Sequence, residues 1–213
     1  MSKKVSTADR ILEAGRRLFN ERGYAATSMG DIAAAVGISK GNLTYHFPTK
    51  QTLALRLRDN TRALARERRH TIQTDSVEDD YVEHLVSGMN LTWNNRFLFR
   101  DSHEFEDVKT GRSDELKADF EELHGLLQRI HAAGYFRRDA DVNLELLARS
   151  IWIVSRYWMD YLRESEGVKT VEWADQERGI RHQFAVLLPC MTATARRRFE
   201  AALERAPRLA SSG

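Results

Sequence analysis

The sequence predicts an all-α protein in which an N-terminal three-helix helix-turn-helix head is joined through a long fourth helix to an all-helical body. Three observations carry that prediction. Glycine and proline are sparse, at 12 and 3 of 213 residues, so few turn signals interrupt the chain. Apolar residues recur at spacings of three and four almost throughout, and few β-branched runs alternate with period two. Finally, Ile32 to Phe47 holds two short apolar patterns separated by Gly37-Ile38-Ser39, the spacing of two helices that cross steeply.

In chain order, the first helix opens near Thr7 or Ala8 with Ser6 or Thr7 as its cap, and runs through Ile11, Leu12, Gly15, Leu18 and Phe19 to about Arg22. Gly23 ends it. Either hydroxyl of Thr27-Ser28 is able to cap the second helix, which begins Met29-Gly30-Asp31-Ile32. Ile32, Val36, Ile38 and Leu43 face inward, Ala33 lets the axes approach, and Gly37 supplies a turn that favours the left-handed region. Ser39 caps the third helix. Its outward residues are Lys40, Gly41, Asn42, Thr44, Tyr45 and His46. Pro48-Thr49-Lys50 then breaks the chain and restarts it, with Thr49 as cap of a longer helix carrying Leu53, Leu57 and Leu64. Arg56, Arg58, Arg62, Arg66, Arg68 and Arg69 are spread around that helix and read as a solvated surface.

The acidic stretch from Thr74 to Asp80 starts a new pattern through Val82, Leu85, Met89 and Trp93. Leu116, Phe120, Leu123, Leu127 and Ile130 form the next stripe, stopped by Gly134. The following helix has two stripes: Leu144, Leu147, Ile151, Val154, Trp158 and Tyr161, beside Ala148, Trp152, Ser155, Met159 and Leu162. The last long segment, with Ile180, Phe184, Leu187, Leu188, Met191, Phe199 and Leu203, is similarly broad, and Pro189 is expected to kink it. A bundle core needs one stripe per helix. The surplus predicts a homodimer through a four-helix interface, with Leu147, Ile151, Val154, Trp158, Phe184, Leu188 and Met191 at the contact. After Pro207 the tail is expected to fray.

Charge is divided unevenly. Residues 1 to 70 hold 14 Lys and Arg against 6 Asp and Glu, a net of +8, which leaves a net of −6 for residues 71 to 213. A basic head on an acidic body is what a chain needs if only the head meets a polyanion, because neutralising phosphates supplies most sequence-independent affinity for DNA. The donors on the third helix suit a major groove, where Lys favours guanine, Asn favours adenine and Thr meets a thymine methyl. Gly41 is the odd member, since glycine in the first turn of a helix costs up to about 1 kcal/mol relative to alanine; a phosphate or base edge approaching closely would explain it, and a tolerated small residue is the alternative.

Other classes are disfavoured. No run of eighteen apolar residues occurs and the N-terminus lacks an apolar signal region, so a cytoplasmic protein without membrane contact is expected. Cys190 is the only cysteine, in apolar company, and reads as an inert thiol. His103-Glu104-Phe105-Glu106-Asp107 superficially matches a zinc-protease helix but has Asp107 where the second histidine belongs. No phosphate-cradling glycine loop, Cys-x-x-Cys pair or activated-serine motif occurs. The expectation is no enzyme, no catalytic residue, no metal and no cofactor. Among the body's many aromatics, Trp93, Phe97, His103, Trp152 and Arg156 combine rings with polar handles and are the candidates for a small-molecule site. His124 and His131, seven apart on one face, read as half-buried residues.

The first fifty residues resemble the TetR family of bacterial transcriptional regulators. The resemblance lies in Thr7 to Gly23, in Thr27-Ser28-Met29 with Ile32-Ala33, and in Ser39 to Phe47 with Lys50 and Leu53. Thr44 stands where many members carry a second aromatic. The resemblance implies a helix-turn-helix DNA-binding domain at 1–50 and a ligand-binding and dimerisation domain at 51–213. It implies that Thr27 or Ser28 holds a phosphate and that Lys50 contacts the backbone. Tyr45 and His46 would then lie along phosphate and sugar, leaving Lys40, Asn42 and Thr44 nearest the base edges. The expected partners are a double-stranded DNA operator, a small-molecule effector and a second copy of the chain. The competing readings are a non-specific architectural DNA binder and a helical-bundle interaction protein without effector response.

Overall fold

A computed structural model describes residues 6–71, 74–105 and 112–206. Among them are ten α-helices and no strand, only an isolated bridge between Phe136 and Met191. The chain divides into two compact units, one drawn from Met1–Glu67 and Asn94–Thr110, the other from Arg68–Trp93 and Gly111–Gly213.

The first unit contains α1 (Thr7–Arg22), α2 (Met29–Val36), α3 (Lys40–His46) and most of α4 (Lys50–Thr71). Local chemistry sets their ends. Ser6 caps α1 and exchanges hydrogen bonds with Asp9, and Ser28 caps α2 in the same reciprocal arrangement with Asp31. Gly37 stands at φ +74°, the left-handed C-cap of α2, and Ser39 caps α3 by accepting the Asn42 N–H. Thr49 accepts the Thr52 N–H at 3.1 Å and so starts α4. The core of this unit is built on Ile11, Phe19, Ile32, Leu43 and Leu53, all fully buried. Each contributes about 1.5–3 kcal/mol of transfer free energy. Gly15 has a steric reason: a Cβ there would lie 2.7 Å from Leu53 Cδ2, so glycine lets α1 approach α4.

A second stretch of chain completes this unit. Helix α6 (Arg96–Arg100) and a 3₁₀ turn at Ser102–Glu104 place Phe97 and Phe105 in the same apolar cluster. The Phe97 ring lies tilted 5.1 Å from Phe19, and Phe105 lies tilted 5.0 Å from Tyr24.

The second unit consists of α5 (Val77–Asn94), α7 (Arg112–Ala132), α8 (Leu144–Ser165), α9 (Trp173–Leu187) and α10 (Ala193–Arg205) around one core. Gly134, at φ +70°, follows the end of α7 as its spacing predicts. Pro189 does more than kink the last segment. It sits in a 3₁₀ turn at Leu188–Cys190, Met191 is extended, and Thr192 caps a separate α10. The tail from Pro207 lies outside the described residues. No helix among the described residues is long and apolar enough to cross a membrane.

Candidate nucleic-acid interface

On α3, Leu43 is the only fully buried residue, and it fixes which side of the helix faces out. Lys40, Gly41 and Asn42 are exposed, and Tyr45 is 84% exposed with its ring edge-on to His46 at 5.4 Å. Thr44 is half-buried, and its hydroxyl donates to the Gly41 carbonyl at 3.0 Å. These six residues form one polar, partly aromatic surface with a single lysine. Nothing within the described residues explains Gly41. A Cβ there would meet only Ser39 Oγ, at an ordinary 3.9 Å. The unfavourable helix propensity of glycine is therefore not compensated by packing.

Of the two hydroxyls before α2, the structure separates the roles. Thr27 is 1% exposed, and its Oγ1 donates to the Gly23 carbonyl at 2.8 Å and to the Leu18 carbonyl at 3.3 Å. Ser28 is exposed at the helix N-terminus beside the unsatisfied N–H groups. Lys50 folds back over the same turn. Its Nζ donates to the Tyr24 carbonyl at 2.7 Å and to the Ala25 carbonyl at 3.3 Å, 4.2 Å from the Tyr24 ring centre.

That turn is also held by residues far along the chain. Asp101 Oδ2 accepts the Tyr24 N–H at 2.9 Å, while the Arg100 guanidinium bonds Asp101 and donates to the Phe19 carbonyl at 2.7 Å. Asn20 Oδ1 accepts the Phe97 N–H, and Asn20 Nδ2 donates to the Asn94 carbonyl at 2.7 Å. Burial alone would push the Asp101 carboxyl up, but the hydrogen bonds from Arg100 and the Tyr24 N–H outweigh it and hold the group below the usual carboxylate range. Sequence reading missed this clamp because its partners lie more than seventy positions apart.

Both halves of the chain match known proteins. Residues 11–57 match the family described as bacterial regulatory proteins, tetR family, and residues 61–199 match a model described as bacterial transcriptional repressor. The chain belongs to the TetR family. The regulator UidR of Escherichia coli K12 is 39% identical over 94 residues, 43% of this chain and 47% of UidR, so the chain spans about half the length of the UidR proteins it matches. The repressor KstR2 of Rhodococcus jostii is 27% identical over 186 residues, covering 74% of this chain and 82% of KstR2. A crystal structure of a TetR-family regulator from Marinobacter aquaeolei superposes with a TM-score of 0.75 at 22% identity, over 94% of this chain and 98% of that one, and shows the shared fold.

The ligand candidates read from the sequence fall in both units. Phe97 is fully buried in the first unit, and His103 is exposed there. Trp93 and Trp152 pack against the core of the second unit, where Arg156 faces Asp160 at 3.7 Å and lies over the Tyr157 ring. Leu147, Ile151, Trp158, Phe184 and Met191 are buried within the single chain, and Val154 and Leu188 are half-buried. The large apolar residues that α8 does expose are Leu146, Ile153, Tyr157 and Tyr161, which share one face. His124 stacks on Phe120 at 6.0 Å, and exposed His131 lies beside Phe136.

The body also holds a polar group that the sequence reading passed over. Gln183 is 0% exposed, and neither its amide nitrogen nor its oxygen has a hydrogen-bond partner among the described residues. An unsatisfied buried amide costs about 1–3 kcal/mol. Its sequence signal was a glutamine interrupting the apolar stripe Ile180, Phe184 and Leu187, seven positions after Gln176.

Proposed function

We propose that this protein is a homodimeric repressor that binds a roughly palindromic DNA operator through α3 and releases it when a small molecule occupies the body. The single observation that carries the DNA reading is Gly41: an exposed helix-weakening residue in the middle of a donor-rich surface, with no intramolecular demand for it. A phosphate or base edge approaching the backbone supplies the demand. In this reading Ser28 and Lys50 bind phosphates and position the head, and Lys40, Asn42 and Thr44 read bases. Buried Thr27 shapes the turn instead.

Phe97 of α6 and Phe105, just after the 3₁₀ turn, share the apolar core of the first unit. We therefore take the DNA-binding domain to include residues 94–105 as well as the first four helices. For the dimer, the exposed face of Leu146, Ile153, Tyr157 and Tyr161 is the contact we propose, and the predicted residues Leu147, Ile151 and Trp158 support it from behind. Repression accords with the name of KstR2, a transcriptional repressor.

The reading is tested by titrating random-sequence duplex with the full chain at several salt concentrations. A DNA reader loses affinity steeply, the logarithm of its binding constant falling by about 0.9 per phosphate contacted for each unit of log salt. Affinity indifferent to salt would remove DNA from the account.

A further inference from the structure

We propose that the interior between α5, α8 and α9 is a binding site for an uncharged, largely apolar molecule bearing hydroxyl or carbonyl groups, with Gln183 and Ser155 as its hydrogen-bonding residues. This deepens, and rests on, the effector-responsive reading above. The three helices are tied together at one end. Gln176 Nε2 donates to Asn90 Oδ1 across α9 and α5, and Trp158 Nε1 donates to the Asp175 carbonyl at 3.0 Å across α8 and α9. Gly179 permits the approach: a Cβ there would lie 2.6 Å from Trp158 Nε1 and 2.8 Å from Met89 Cε.

Helices α8 and α9 are antiparallel, with Trp158 beside both Asp175 and His182. One turn back from Trp158 on α8 is Ser155, and one turn on from Gly179 along α9 is Gln183, so the two stand at one level. Ser155 Oγ, both polar atoms of Gln183, Gln176 Oε1 and Asn90 Nδ2 are buried without a hydrogen-bond partner among the described residues. Buried polar groups are almost always satisfied, so a run of orphans on facing helices marks a place where a ligand completes the bonding. Their chemistry sets the ligand class. Amides and hydroxyls offer neutral donors and acceptors, and Met89, Trp158, Ile151 and Ile180 belong to the same apolar core.

The test uses the full-length protein labelled with nitrogen-15, with the Gln183 side-chain amide signals assigned through Gln183→Met. Cyclohexanol is titrated in, with methylcyclohexane and cyclohexylammonium as apolar and charged controls. The expected result is a saturable shift of the Gln183 signals by cyclohexanol, at least about ten-fold weaker binding of either control, and at least about five-fold weaker cyclohexanol binding by Gln183→Met and Ser155→Ala. Gln183→Met, which removes orphan atoms and keeps volume, should also unfold at or above the wild-type temperature. Absence of a saturable shift, or a lower unfolding temperature showing that the amide is satisfied structurally, overturns the site. Saturable binding with unchanged DNA affinity upholds the site and removes only the regulatory reading.

Discussion

The Asp101 carboxylate accepts the backbone N–H of Tyr24 at 2.9 Å, across 77 positions of sequence. The turn that Lys50 folds back over, and that leads into α2, is thus fixed by a segment that arrives only after α5. Replacing Asp101 with alanine leaves that buried N–H and the Arg100 guanidinium without their carboxylate, a loss of about 1.5–3 kcal/mol at pH 7. Because the folded-state pKa is lowered, this contribution is complete above the ordinary value of 3.8 and is lost as pH falls through the folded value. Chemical denaturation of wild type and Asp101→Ala should therefore show a gap at pH 7 that narrows below about pH 4. A gap constant with pH would contradict the pairing.

Gly41→Ala separates stability from recognition. Alanine at that exposed helical position should raise stability by up to about 1 kcal/mol in thermal unfolding, while DNA affinity falls. Unchanged affinity would show that nothing approaches the backbone there.

Lys50 has two possible duties, and one variant distinguishes them. Its Nζ already holds the Tyr24 and Ala25 carbonyls. If it also contacts phosphate, Lys50→Ala weakens every duplex alike and flattens the salt slope by about 0.9. A brace alone would lower stability and leave the slope intact.

Two glycines should resist alanine. Gly15→Ala pushes a Cβ into Leu53, which is fully buried, and Gly179→Ala meets Trp158 and Met89. Each should cost about 1–3 kcal/mol by denaturant titration. The same change at Gly125, where an added Cβ meets nothing within 4 Å, should be far milder.

On the exposed face of α8, Tyr157→Glu combined with Ile153→Asp should give a folded monomer in analytical ultracentrifugation, with greatly weakened DNA binding. A dimer that survives both changes would move the interface elsewhere.

What could be read from the sequence was what a few neighbouring residues decide. Ser6, Ser28, Ser39, Thr49, Gly23 and Gly37 act within one turn of themselves, and the helix ends follow them. The face of α3 was equally legible, because Leu43 alone points inward. The clamp of Asn20, Arg100 and Asp101 was not, since no local pattern announces a bond across more than seventy residues. The doubled stripe of α8 was visible, but the sequence could not say how it is divided. Helix α8 packs on both α7 and α9 of its own chain, which consumes Leu147, Ile151 and Trp158 and leaves Leu146, Ile153 and Tyr157 outside.

The central claim is that the outward face of α3 reads DNA as one of a pair. Selection of bound duplexes from a random pool by the full-length protein tests it most directly. The account predicts an inverted repeat whose half-sites are centred about one helical turn, or a multiple of it, apart. It also predicts that Asn42→Ala relaxes the preference at one symmetric pair of positions, at about 1–3 kcal/mol each. Recovery of unrelated sequences by wild type and variant alike would contradict it.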